Sequence, residues 1–193
     1  MPLNIPILLT WLRVALIPLV VGIFFVPDAW MTEYERGFAA TVVFVVAALT
    51  DWFDGYLARK LNQTSAFGAF LDPVADKLMV AGALLLLVQL GRTNAVIAFV
   101  IIGREIAITA LREWMAQIGA SKSVAVSSLG KVKTAAQMIA IPMLLYAYPL
   151  FGVVDTLFIG ERLLEIAALL TLWSMLYYLR RAWPLIKERH DLH

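Results

Sequence analysis

The sequence predicts an all-α membrane protein with six transmembrane helices, and its composition and hydropathy pattern are the basis of this prediction. Hydrophobic residues make up 62% of the 193 residues, charged residues make up 16%, and the mean hydropathy is +0.82. Soluble domains carry about 25% charged residues, so this composition is typical of a chain that crosses a bilayer repeatedly. The apolar residues fall into six runs, each near the roughly 20 residues that a spanning helix needs.

The first part of the chain predicts a short interfacial segment and two spanning helices. Residues 2–12 mix prolines with apolar and polar residues, which favours a segment lying in the membrane interface. A first spanning helix over residues 14–26 follows, and an acidic, aromatic loop over residues 27–36 ends it. The uncharged run over residues 37–50 then predicts a second spanning helix, which continues to about Arg59.

The third helix is predicted to follow a polar break over residues 60–65. Asp72 followed by Pro73 is the pattern of an N-cap and a first helical residue, so the helix is predicted to start there and to run to Leu90. Its positive N-terminal end would then point at the surrounding aspartates. Residues 91–94 begin with glycine and predict the exit turn of this helix.

The second half of the chain predicts three further spans. These are a fourth helix over about 95–116, a fifth over 134–148 and a sixth over 163–179, separated by a polar stretch at 117–133 and a turn at 149–160. Six spans place both termini on the side that carries most of the lysines and arginines, and the positive-inside rule makes that side cytoplasmic. The net charge of only +2 predicts no nucleic-acid surface. Residues 1–193 are predicted to form one membrane domain.

Four aspartates flank the break between the second and third helices. They are Asp51, Asp54, Asp72 and Asp76. An ionised carboxylate at membrane depth is costly unless it is paired, bound to a metal or facing water, and Arg59, Lys60 and Lys77 are the nearby cations. The aspartates are spaced three and four residues apart, so each pair shares one helix face. Facing carboxylate pairs suit Mg²⁺ or Mn²⁺, and the sequence predicts a site for two ions roughly 3.5 to 4 Å apart.

The motif around these aspartates resembles the signature of the CDP-alcohol phosphatidyltransferase family of integral membrane enzymes. Its fixed positions are Asp51, Asp54, Gly55, Ala58, Arg59, Gly68, Asp72 and Asp76. The resemblance implies a transferase whose aspartates hold the metal ions and whose last aspartate, Asp76, takes the proton of the acceptor alcohol. Spacing alone leaves Asp76 as either that base or a fourth metal ligand.

The remaining motif residues are predicted to bind the CDP-linked lipid. Arg59 is a candidate for a phosphate oxygen, and Gly55, Ala58 and Gly68 are candidates for giving the lipid substrate room. The alternative for these three small residues is close packing between membrane helices.

Three basic segments outside the motif resemble the bacterial phosphatidylglycerophosphate synthases of this family. They are residues 103–105, 110–113 and 130–134, and the resemblance covers nearly the whole chain. It implies CDP-diacylglycerol as donor, sn-glycerol 3-phosphate as acceptor, and a homodimer. It also implies the bacterial cytoplasmic membrane as location, with the active site facing the cytoplasm.

A phosphorylated acceptor needs basic residues beside the metal site, and arginine can hold a phosphate with two parallel hydrogen bonds. The candidates are Arg112, Lys131, Lys133 and, more weakly, Arg104. Their alternative role is topological, and Arg104 could instead pair with Glu105 or Glu165 to neutralise its charge. Arg13 is predicted to be an interfacial anchor, with contact to the substrate phosphates as its alternative. The aromatic residues Trp173, Tyr177, Tyr178 and Trp183 predict an interfacial belt.

Two other functions remain open at this point. One is a related transferase that uses a different acceptor, such as phosphatidylglycerol, an inositol phosphate or serine, because an uncharged or lipidic acceptor would not need the basic set. The other is a divalent-cation transporter. Transporters usually place broken helices near the membrane midplane in repeated halves, whereas this acidic motif occurs once, which disfavours that function.

Overall fold

The computed structural model describes residues 5–60, 66–118 and 128–190 of the chain, and these residues form six helices. The helices are α1 (Ile5–Ile23), α2 (Glu33–Lys60), α3 (Ala66–Gln89), α4 (Ala95–Gln117), α5 (Ser128–Tyr146) and α6 (Thr156–His190). Only an isolated bridge between Leu150 and Val154 has β character among these residues, so the all-α, six-helix prediction is confirmed.

The predicted membrane spans are not confirmed by the helices themselves. Within the described ranges, no helix reaches both the length and the apolar character that crossing a bilayer requires.

Every helix except α4 starts earlier than the sequence-based prediction. α2, α5 and α6 begin four, six and seven residues before the predicted positions 37, 134 and 163, because polar residues at the ends of the apolar runs continue these helices. α1 is one continuous helix from Ile5, instead of an interfacial segment followed by a helix. α3 begins at Ala66, and Pro73 lies inside it. The predicted N-cap role of Asp72 is therefore wrong, and no helix N-terminus points at the aspartates from that position. A proline removes only one backbone donor, and the helix continues through the exposed Pro73, as α1 continues through Pro18 and α5 through Pro142.

The starts of α2 and α4 have local explanations in the sequence. Thr32 and Glu35 form a capping box, because the Thr32 N–H donates to Glu35 Oε2 over 2.7 Å and the Glu35 N–H donates to Thr32 Oγ1 over 3.3 Å. The bond from the Thr32 backbone lowers the pKa of the exposed Glu35 carboxyl. Asn94 caps α4 by accepting from the Val96 N–H over 2.7 Å. Gly91 adopts φ +69° in the turn before it, as predicted for an exit turn.

The core lies between the helices, and two glycines let them approach closely. α1 packs against α2 and α3, α2 against α5, α3 against α4, and α6 against both α4 and α5. A Cβ atom at Gly37 of α2 would lie 2.9 Å from the carbonyl oxygens of Leu145 and Tyr146 on α5. A Cβ atom at Gly160 of α6 would lie 2.9 Å from the side chain of Leu144. The start of α2 and the start of α6 therefore both lie close against the end of α5.

Candidate active site

A cavity of about 380 Å³ lies between α2, α3, α4 and α5, a size that suits a small ligand. Three of the four motif aspartates, Asp51, Asp72 and Asp76, line it. Its other polar lining residues are Lys77, Arg104, Glu105, Thr109, Arg112, Thr134 and Gln137. The structure thus brings the acidic motif and part of the predicted basic set into one cavity.

Arg13 of α1 joins the aspartates of α2 and α3. Its Nη1 atom lies 2.9 Å from Asp51 Oδ1 and 2.6 Å from Asp76 Oδ1, and the Arg13 side chain is fully buried. The prediction of an interfacial anchor is therefore wrong. The sequence places Arg13 far from both aspartates along the chain, and the parallel packing of α1 beside α3 brings it to them. The Arg13 cation thus lowers the free-energy cost of placing these carboxylates in apolar surroundings.

Thr10 supplies a second contact from the same face of α1. Its Oγ1 donates to Asp72 Oδ1 over 2.7 Å, and Thr10 is buried. Thr10 and Arg13 are three residues apart and therefore neighbours on the helix surface. Sequence reasoning missed Thr10 because a lone threonine in an apolar helix carries no signal until its neighbour helix is known.

The carboxylates suit a divalent cation in their chemistry. In the structure, the Oδ1 atoms of Asp51 and Asp76 converge on the Nη1 atom of Arg13, at 2.9 and 2.6 Å. Carboxylate oxygens are the ligands that Mg²⁺ and Mn²⁺ prefer. Among the described side chains, no group of three or more acidic or histidine residues is close enough to hold a metal, and the Asp54 side chain lies outside that set. The four-aspartate metal site stays a prediction.

A second charged cluster links α4, α5 and α6. Glu105 accepts hydrogen bonds from Lys133 Nζ and, over 3.3 Å, from Arg104 Nη1. Arg104 Nη2 donates to Ser174 Oγ over 2.9 Å. Both cations are buried, with Lys133 2% exposed and Arg104 6% exposed. Arg104 therefore pairs with Glu105, as its structural alternative proposed, whereas Glu165 pairs with Arg162 over 2.6 Å.

Arg112 differs from these two cations. It is exposed, it lines the cavity, and it makes no ion pair with a carboxylate of the described residues. Its guanidinium carbon lies 5.4 Å from the centre of the Tyr178 ring, and its Nη2 donates to the Tyr178 hydroxyl over 3.4 Å. Tyr178 is 1% exposed, so its predicted place in an interfacial belt is wrong. The ring holds Arg112 in position without neutralising its charge.

Gln137 is a further polar residue of the cavity that sequence reasoning missed. It lies on α5, it is 4% exposed, and its Nε2 atom has no hydrogen-bond partner among the described residues. A glutamine in an apolar helix stands out in the sequence, but the sequence does not show which helices it faces.

The other predicted site residues are placed only in part. Gly68 lies half-buried near the start of α3. Gly55, Ala58, Arg59 and Lys131 lie within helices, but their side chains are outside the described set.

Comparison with known proteins gives one matching family and several similar relatives. Residues 3–178 match the CDP-alcohol phosphatidyltransferase family. The CDP-diacylglycerol–glycerol-3-phosphate 3-phosphatidyltransferase of Shigella flexneri serotype 5b (strain 8401) is 51% identical over 184 residues, which cover 94% of this chain and 96% of that protein. The protein of the same name from Escherichia coli (strain K12) is also 51% identical, with the same coverage.

Proposed function

Because this chain belongs to the CDP-alcohol phosphatidyltransferase family, we propose that it transfers the phosphatidyl group of CDP-diacylglycerol to sn-glycerol 3-phosphate. The products are phosphatidylglycerophosphate and CMP, and the reaction is a step of phospholipid biosynthesis. The observation that carries this proposal is a single cavity with an acidic wall, formed by Asp51, Asp72 and Asp76, and a basic residue, Arg112, that no described carboxylate neutralises. The names of the two relatives agree with this reaction.

The chemistry is a displacement at the phosphorus of the phosphatidyl group. The acceptor hydroxyl oxygen forms a bond to this phosphorus, the phosphoanhydride bond to CMP breaks, and the hydroxyl proton passes to a base. Asp76 is the proposed base, since its carboxylate lines the cavity and is 43% exposed. The bond from Arg13 Nη1 to its Oδ1 atom fixes the orientation of this carboxylate.

The acidic wall supports a requirement for Mg²⁺ or Mn²⁺, and we propose that two ions bind there. Bound at Asp51, Asp54, Asp72 and Asp76, such cations would neutralise the phosphate oxygens of the donor. Arg13 and Thr10 hold three of these carboxylates in place from α1. The proposed contacts of Gly55, Ala58, Arg59 and Gly68 with the CDP-linked lipid follow from the family motif.

Arg112 is the proposed residue for the acceptor phosphate. Its guanidinium is stacked on Tyr178 and keeps most of its donors for a ligand. Arg104 also lines the cavity, and its Nε atom has no hydrogen-bond partner within the described part of the chain, so it is a second candidate. The Lys133 ammonium bonds to Glu105, which makes it a support for Glu105 more than a phosphate ligand. Lys131 is proposed from the family resemblance alone.

We also propose that the chain is embedded in the bacterial cytoplasmic membrane as a homodimer, with the cavity open to the cytoplasm. Large apolar side chains point outward along the helices, including Phe99 at 77% exposure, Leu169 at 68% and Trp173 at 66%. Soluble monomers seldom expose so much apolar surface, and lipid would cover it. Retention in membranes after alkaline washing tests the location, and the mass of the protein in detergent tests the dimer.

The deciding experiment for the reaction uses the purified protein with CDP-diacylglycerol, Mg²⁺ or Mn²⁺ and a panel of acceptors. We expect phosphatidylglycerophosphate and CMP from sn-glycerol 3-phosphate. Product from phosphatidylglycerol, an inositol phosphate or serine instead would assign the chain to a related transferase. An absence of product with every acceptor would refute the transferase.

A further inference from the structure

The side-chain amide nitrogen of Gln137 is buried without a described hydrogen-bond partner. The side chain is 4% exposed, and its Nε2 atom finds no hydrogen-bond partner in the part of the chain that the structure describes. Buried polar groups in native proteins are nearly always bonded, and an unbonded one costs about 1 to 3 kcal/mol. A ligand that bonds to Gln137 would remove this cost.

The position of Gln137 in the cavity indicates which part of a bound acceptor would contact it. The cavity has an acidic side on α2 and α3, with Asp51, Asp72 and Asp76, and a basic side on α4, with Arg112. α5 packs against α2 and reaches α4 through the Lys133–Glu105 pair, and it contributes the uncharged polar residues Thr134 and Gln137 to the cavity. An acceptor with its reacting hydroxyl at the acidic side and its phosphate at the basic side presents the middle of its carbon chain to α5.

We propose that Gln137 is a specificity-determining residue that hydrogen-bonds the non-reacting middle hydroxyl of the acceptor. This inference rests on the proposed function, which supplies an acceptor with one phosphate and two hydroxyls. A hydroxyl both donates and accepts, and so does a carboxamide, whereas the neighbouring carboxylates only accept and the arginines only donate. A site built to bond a substrate hydroxyl rejects an analogue that lacks it, because the polar group of the protein is then left unpaired.

The test compares two acceptors that differ by this hydroxyl alone. These are sn-glycerol 3-phosphate and 3-hydroxypropyl phosphate, each assayed with CDP-diacylglycerol and the divalent cation. We expect the wild type to favour sn-glycerol 3-phosphate in kcat/KM. In Gln137→Met, which keeps the length of the side chain and removes its hydrogen bonds, this preference should fall by about three- to tenfold. The loss should occur with sn-glycerol 3-phosphate, and the analogue should be used as well as before.

The controls separate a role in acceptor choice from a role in folding. Gln89→Met removes an exposed amide at the end of α3, and it should leave the acceptor preference and the melting temperature unchanged. Gln137→Met should also keep its melting temperature, since the wild-type amide has no described partner to lose. Gln137→Asn withdraws the amide by one methylene group and should reduce the preference in the same direction.

Each other outcome has a defined meaning. An equal fall in activity with both acceptors, an unchanged preference, or failure of Gln137→Met to fold would overturn the role of Gln137 and leave the proposed function intact. A wild type that transfers nothing to sn-glycerol 3-phosphate would refute the proposed function and, with it, this inference.

Discussion

Arg13→Met tests the charge arrangement of the site in the most direct way. Methionine has a similar length and keeps the apolar contacts of the buried stem, but it removes the cation that contacts Asp51 Oδ1 over 2.9 Å and Asp76 Oδ1 over 2.6 Å. The two carboxylates then lose the cation that they share. We expect a less stable protein whose stability depends on divalent cations.

The magnitude follows from the burial of the three groups. Removing one partner of a fully buried ion pair costs about 3 to 5 kcal/mol. Arg13 is fully buried, but the Asp51 and Asp76 side chains are 39% and 43% exposed, so water screens part of the charge that is left behind. We therefore expect a loss of about 2 kcal/mol. For a chain of this size that corresponds to a fall in Tm of roughly 4 to 8 °C.

The assay is thermal unfolding in detergent, in EDTA and in excess Mg²⁺. In EDTA, Arg13→Met should melt below the wild type by the stated amount. In Mg²⁺ the difference should shrink, because a bound cation replaces the missing positive charge between the carboxylates. Arg180→Met, at an exposed position of α6, is the matched control and should not respond to Mg²⁺. Equal losses in EDTA and in Mg²⁺, or no loss at all, would refute the reasoning.

Three further predictions concern the acidic wall, the acceptor phosphate and the second charged cluster. Asp51→Asn and Asp72→Asn should each abolish transfer, while the protein keeps its melting temperature within a few degrees. Full activity of either variant, or of the EDTA-stripped wild type, would contradict the metal-dependent site. Arg112→Ala should lower kcat/KM for sn-glycerol 3-phosphate by about ten- to a hundredfold, the equivalent of roughly 1.5 to 3 kcal/mol, without weakening binding of the CDP-linked lipid. Equal weakening of both substrates would assign Arg112 to the donor instead. Lys133→Met should destabilise the protein by about 3 kcal/mol in thermal unfolding because Glu105 loses its closest cation, and the double variant with Glu105→Gln should recover part of that loss. An unchanged Tm in Lys133→Met would show that the pair contributes nothing to stability.

Local patterns in the sequence predicted much of the fold. α2 ends at Lys60 and α3 begins at Ala66, on either side of the predicted polar break, whose residues 61–65 lie outside the described part of the chain. The turn at residues 91–94 separates α3 from α4, as predicted. These boundaries depend on nearby residues, such as the left-handed Gly91 and the capping Asn94, which act on their own backbone. Pro73 failed as a boundary signal because a proline removes only one backbone donor, and α1, α3 and α5 all continue through an internal proline.

The candidate site was predictable where residues share a helix and not where separate helices meet. The spacing of Asp72 and Asp76 placed both on one face of α3, and both line the cavity. No pattern in the sequence pairs Arg13 with Asp51, because that contact depends on which helices are neighbours. The same limit applies to Lys133, whose basic character predicted a phosphate ligand and whose described partner is the Glu105 carboxylate of α4.

The close contact between Gly37 and the last turn of α5 affects how α5 is tilted beside the cavity. Leu144 and Leu145 also accept from Arg92 Nη1, over 3.1 and 2.8 Å, so the last turn of α5 is held both by this guanidinium and by the bare backbone of α2. Gln137 lies only two helical turns away, a rise of about 12 Å. A methyl group at residue 37 would have to push α5 outward, and a rigid rod displaced at one end changes its tilt at the other. The width of the cavity therefore depends partly on Gly37, which does not line it. Substitutions at Gly37 should lower catalytic activity as well as stability.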